Sequence, residues 1–279
     1  MTKNATRPVT QVVRGQRSSD GAGVRLTRVI GGRALPDLDP FLLFDEFGSE
    51  EASDYIGGFP DHPHRGFETV TYMLAGRMRH GDNKGNVGLL GPGSVQWMTA
   101  GRGIVHSEMP EQEEGLMHGF QLWVNLPAKD KMTAPRYQDI PPGDIPEVDA
   151  GNGVRVRVIA GRFSNVSGPV SEVATDTLYL DVALPAGVPL DVPLPADDNA
   201  FAYVFEGAAK VGGEQVARGE LAVLGNGERV ELAAGPEGAR LLVIAGRPLK
   251  EPIAKYGPFV MNTNDEIRQA VADYQSGRF

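Results

Sequence analysis

The sequence predicts an all-β chain built as two similar halves, each a β-barrel or sandwich. Three observations carry this. Short runs rich in β-branched and aromatic residues recur along the whole chain, bounded by turn-forming residues. The 36 glycines and 21 prolines among 279 residues follow no strict period, which marks many turns rather than a linker or a collagen repeat. Two short stretches also recur in the same order. Tyr72-Met73-Leu74-Ala75-Gly76 matches Tyr203-Val204-Phe205-Glu206-Gly207, and Gly93-Ser94-Val95-Gln96-Trp97-Met98 loosely matches Gly219-Glu220-Leu221-Ala222-Val223-Leu224. Such a repeat argues for duplication of one supersecondary unit.

In chain order, Thr10–Arg14 and Val24–Ile30 read as strands separated by the turn-rich Ser18-Ser19-Asp20-Gly21. Thr69–Leu74 reads as a strand ending at Gly76. Val87–Leu90 and Ser94–Thr99 flank the turn Gly91-Pro92-Gly93, and Phe120–Leu126 is an apolar strand stopped by Pro127. The proline-rich, charged stretch 127–151 reads as an irregular connector. The pattern then resumes with Val154–Ala160, Thr177–Ala183, Ala200–Phe205, Glu220–Leu224, Arg229–Leu232 and Arg240–Ala245. One helix follows. Thr263-Asn264-Asp265-Glu266 has the form of a capping box, Ile267, Val271 and Tyr274 share a face, and Gly277 suits the stop. The division expected is residues 1–135, an N-terminal domain that carries all five histidines, and 136–279, a C-terminal domain without histidine that ends in the helix.

Composition narrows the function classes. At 41% hydrophobic and 23% charged, the chain can bury a core. A net charge of −9 and no basic run argue against direct nucleic-acid binding. The absence of cysteine excludes disulfides and thiolate metal sites. No apolar run reaches the roughly 18 residues of a membrane span, and Met1 to Arg17 lacks an apolar signal core. A cytoplasmic protein is expected.

Five histidines, His62, His64, His80, His106 and His118, all fall between positions 62 and 118, with none in the second half. In His62-Pro63-His64 the i, i+2 spacing puts both imidazoles on one face of an extended strand, and Pro63 favours a strand start or sheet edge. His106-Ser107-Glu108 repeats the spacing with an imidazole and a carboxylate. Two such pairs on neighbouring strands would converge three nitrogens and one oxygen on a divalent ion: iron, manganese, nickel, copper or zinc. Glu68 competes with Glu108, since it shares parity with His62 and His64 if the strand runs on regularly through Gly66. His80 lies beside turn residues and reads as a loop histidine. His118 reads as a core or supporting residue, and Phe67, Trp97 and Met98 as core that also walls the site.

Asp61-His62-Pro63-His64-Arg65-Gly66-Phe67-Glu68-Thr69-Val70 and Gln96-Trp97-Met98-Thr99-Ala100-Gly101-Arg102-Gly103-Ile104-Val105-His106-Ser107-Glu108 resemble motifs of the pirin family, in the cupin superfamily. So do residues 39–47, 121–127 and 257–263. The resemblance implies a bicupin, two antiparallel β-barrels in one chain, the first holding one metal, usually Fe(2+), at His62, His64, His106 and Glu108. It favours Glu108 as the ligand. In the general cupin signature the glutamate follows H-x-H by three or four residues, which is where Glu68 stands, so Glu68 stays a candidate supporting acid. The resemblance also implies a quercetin 2,3-dioxygenase-like activity: O2 opening a flavonol or similar enol-bearing aromatic, with Glu108 or Glu68 as general base. Its other implication is a non-catalytic regulator acting through protein partners.

Overall fold

The computed structural model describes residues 5–279, and its strands pair antiparallel throughout both large sheets. Two compact units form, and neither is a contiguous half of the chain. One gathers the described residues up to Gln16, Gly32–Asp39 and Gly143–Pro248; the other gathers Arg17–Gly31, Pro40–Pro142 and Leu249–Phe279. These units differ from the expected division at 1–135 and 136–279 in where the two ends of the chain pack. Strand Val9–Arg14 joins the second-half unit, as the edge strand beside Glu220–Leu224. An edge strand exposes unpaired backbone groups, and covering it is favourable wherever the covering segment lies in sequence. The helix Asn264–Gln275 belongs instead to the histidine-bearing unit, where Ile267 and Ala270 pack with Phe259, Met261 and Phe279. Its capping box is formed as expected, with the Glu266 amide donating to the Thr263 hydroxyl and the Glu266 carboxylate accepting from the Thr263 amide.

The internal repeat is structural. In the histidine-bearing unit Phe67–Ala75 pairs with Val95–Thr99, with Tyr72 opposite Val95; in the other unit Asn199–Val211 pairs with Glu220–Leu224, with Tyr203 opposite Leu221. Each second strand enters through a glycine at positive φ, Gly93 at 81° and Gly219 at 79°. The amides of these glycines donate to the carbonyls of Met73 and Val204, so the motif repeats down to its hydrogen bonds. The interiors differ. The interior of the second-half unit is packed with Val156, Val158, Leu180, Val182, Ala202, Val204, Leu241 and Val243, all buried. The first-half unit has smaller apolar clusters around a cavity.

Three local expectations are corrected. The connector 127–151 contains strands Arg136–Ile140 and Glu147–Asp149, because their backbone groups pair with Val95–Thr99 and Arg155–Ala160. Ser18–Asp20 lie in a strand, Gln16–Asp20, with the turn one step later. Arg229–Leu232 and Arg240–Ala245 are two ends of one long strand, Arg229–Gly246. Among the described residues no helix is long and apolar enough to cross a membrane.

Candidate metal centre

The histidine-bearing unit has a seven-stranded sheet and a four-stranded sheet. The four-stranded sheet runs in the order Phe59–His64, Ile104–Pro110, Met78–Asp82, Val87–Leu90. Its first strand is the edge, so the missing amide of Pro63 costs no ladder bond there. His106 lies directly opposite His62, and His64 is two residues on from His62, hence on the same face. Cross-strand opposition and i, i+2 parity together bring three imidazoles into one cluster. Their ring centroids lie 4.4 to 5.0 Å apart. One ring nitrogen from each falls within 4.8 Å of the others.

The nitrogens suit a cation. His62 Nδ1 lies 2.9 Å from the Pro60 carbonyl, which can only accept, so its proton sits on Nδ1 and Nε2 presents a lone pair. That Nε2 is 3.0 Å from His64 Nε2. Two nitrogens about 2.1 Å from a shared ion and at right angles to one another would be separated by about this distance. His106 is fully buried, and neither of its ring nitrogens has a hydrogen-bond partner. A buried imidazole without partners is costly unless something accepts its lone pair. Burial drives the His64 and His106 imidazoles well below their usual basicity, with neighbouring imidazoles adding to the effect, so both are neutral as a metal requires.

Glu108 stands beside this group, outside the 4.8 Å cluster. A register shift between His106 and Glu108 against the His62 strand carries it along to lie opposite Phe59, while on its other side it lies opposite His80. It accepts a hydrogen bond from the Thr71 hydroxyl at 2.9 Å. Burial pushes its carboxyl above the usual carboxylate range, opposed by His62 and by the Thr71 bond. Glu108, His62 and His64 line a cavity of about 670 Å³ whose other walls include Phe59, Thr71, Met78, Gln121, Trp123 and Lys255. The parity of Phe120–Leu126 puts Gln121 and Trp123 on one face, a signal present in the sequence but unused.

Glu68 is not brought to the cavity. The strand does not run on regularly: it ends at His64, and the chain crosses through Arg65-Gly66 into the other sheet. Gly66 has φ of 91°, and a Cβ there would overlap the Val260 carbonyl oxygen, so only glycine fits. The crossing resets the parity. Phe67 now contacts His64 and Trp123, whereas Glu68 lies on the opposite face, accepting from the Thr99 hydroxyl at 2.6 Å. His80 is in a strand and 1% exposed, not in a loop; its ring stacks on Tyr137 and packs over Gly88, where no Cβ would fit. His118 pairs with Glu46 at 2.8 Å, away from the cluster.

Comparison with known proteins agrees with this architecture. Residues 23–124 match the Pirin family model and residues 179–279 that of the Pirin C-terminal cupin domain. A pirin-like protein of Caulobacter vibrioides is 54% identical, over 98% of this chain and 99% of its own length. Human pirin is 44% identical over 98% of this chain and 94% of its own length. A crystal structure of an Acinetobacter baumannii quercetin 2,3-dioxygenase superposes with a TM-score of 0.91 at 35% identity, covering 99% of each chain. Two duplicated antiparallel units, one histidine cluster confined to the first, and these full-length similarities lead to one conclusion: the chain belongs to the pirin family of bicupins.

Proposed function

We propose that the chain is a metal-dependent dioxygenase that opens a flavonol or a similar enol-bearing aromatic. The observation that carries this is the convergence of three imidazoles, two of which line a cavity that also holds a buried carboxylate. The similarity to the Acinetobacter quercetin 2,3-dioxygenase supports the choice of reaction. His62, His64 and His106 would hold one divalent ion, with Fe(2+) the leading candidate and the carboxylate of Glu108 available beside it. When bound, the ion supplies Lewis acidity toward an enol oxygen and a redox centre for O2.

The protein's own groups do the rest. Phe59, Met78 and Trp123 give the cavity apolar and aromatic walls, which suit a flat aromatic and exclude water from it. Glu108 takes the hydroxyl proton of the substrate as general base. Burial makes it a stronger base than an exposed glutamate, and the Thr71 hydroxyl keeps one of its oxygens oriented. The overall reaction joins one flavonol and one O2 and yields a depside and carbon monoxide.

The test is oxygen uptake and quercetin loss by metal-loaded protein, with an anaerobic control and a free-metal blank. Glu108→Gln should lower turnover about 100-fold or more while metal content is kept. Absence of quercetin and oxygen consumption above the blank would sink the catalytic reading and leave a regulator that works through protein partners.

A further inference from the structure

The outer side of the two ligand strands is held by a single feature remote in sequence. Arg65, the residue after His64, is 4% exposed and donates through Nη1 to Asp273 of the helix at 2.8 Å and through Nε to the Arg102 carbonyl at 2.6 Å. Its guanidinium lies 4.4 Å from the centre of the Phe279 ring. The same ring packs on Gly103, where a Cβ would stand 2.9 Å from it; Gly103 directly precedes the His106 strand. The Phe279 carbonyl accepts from Asn83 Nδ2 at 3.0 Å, and the Asn83 amide donates to the Val105 carbonyl beside His106. Val105 packs against the cluster formed by Phe259, Ile267 and Phe279. One ring therefore contacts the residue that follows the His62–His64 strand and the glycine that precedes the His106 strand.

We infer that Arg65, Asp273 and Phe279 form a brace that sets the spacing of the ligand strands and thereby the affinity of the metal centre. These are positioning residues, since none is placed to touch the ion or the substrate. The inference rests on the reading of His62, His64 and His106 as metal ligands. Its physical basis is that a centre assembled from two strands binds tightly only if the strands are held at the ligating separation before the ion arrives. Here the contacts that fix the backbone next to His64 and His106 come from the C-terminal segment.

Co(II) titration of the purified full-length chain tests this, with the d–d absorption reporting ligand symmetry and a chelator competition giving Kd. The urea midpoint of the metal-free protein is measured in parallel. Asp273→Asn and Phe279→Ala should each raise Kd about tenfold, as removal of supporting contacts typically does, and change the d–d spectrum. Asp273→Glu, which can restore the ion pair, should recover most of the affinity. Arg65→Lys, which keeps the charge but can satisfy only one of the two acceptors, should fall between and serves if either truncation fails to fold. Variants that fold and bind Co(II) within twofold of wild type overturn the brace alone. A Kd rise seen only where the metal-free variant is already partly unfolded also overturns it. A wild type that binds no Co(II) overturns both the centre and the brace.

Discussion

Gly66→Ala is the most demanding single perturbation of the site that leaves every candidate ligand in place. An alanine at φ of 91° takes up a left-handed backbone, at a cost of about 1–2 kcal/mol. Its Cβ would overlap the Val260 carbonyl oxygen, a backbone atom that cannot rotate aside. Relief requires the Val260 segment to move away from the junction. That breaks the Val260 amide bond to the Arg65 carbonyl, 3.0 Å, and draws the Val260 carbonyl from the Lys131 ammonium, 3.1 Å. Such bonds contribute about 1 kcal/mol when neutral and about 2 kcal/mol when charge-assisted. The expected loss is about 4–5 kcal/mol, a large share of the roughly 5–15 kcal/mol that holds a typical domain folded. Both tryptophans, Trp97 and Trp123, lie in this unit, so their fluorescence reports its unfolding without a contribution from the other. With a urea dependence of about 2 kcal/mol per molar, the midpoint should fall by about 2 M. Metal uptake should fall with it, since His64 is two residues away. A midpoint within about 0.5 M of wild type would refute the account of why the chain needs glycine there.

Other consequences follow from single groups. His106→Ala should abolish metal uptake, measured by elemental analysis, while His118→Ala, at a residue paired with Glu46, should leave it intact. Lys131 is 1% exposed, and its ammonium donates to Gly66, Asn125 and Val260; burial pushes it down to about 8. The folded chain gives up this proton before the unfolded chain does, so the unfolded state binds more protons above that pH. Stability should therefore rise from about pH 8 to about pH 10. In urea titrations of metal-free protein, Lys131→Met should remove that rise. The same variant leaves three acceptors without their donor and should be less stable at pH 7 by about 3 kcal/mol.

Much of the site was legible because it depends on local rules. The i, i+2 spacing of His62 and His64 needs only an extended strand, and the confinement of all histidines to positions 62–118 needs only a count. The capping box at Thr263 and the repeated Tyr-to-Gly stretch were legible for the same reason: neighbours in sequence carry the whole signal. The choice between Glu68 and Glu108 was different: the family resemblance favoured Glu108, but strand parity left it open. Parity from His64 to Glu68 holds only if the strand continues, and whether it continues depends on Gly66 meeting Val260, almost two hundred positions later. Likewise, His80 looks like a loop residue beside Gly81 and becomes a buried strand residue only because Gly88 and Tyr137 make room for its ring.

The sequence by itself determined that the chain is all-β and duplicated, and that its histidines lie in the first half, three of them as candidate ligands. Those properties follow from residue type and short-range period, which act without knowledge of the partner strand. Only the tertiary structure decided which carboxylate shares the cavity, that a register shift sets Glu108 beside the imidazoles rather than among them, and that both ends of the chain exchange their expected units. Each of these is settled by backbone pairing and apolar burial between segments far apart in sequence. Such pairing acts on whichever strand edge or apolar face is uncovered, and residue order along the chain does not specify it.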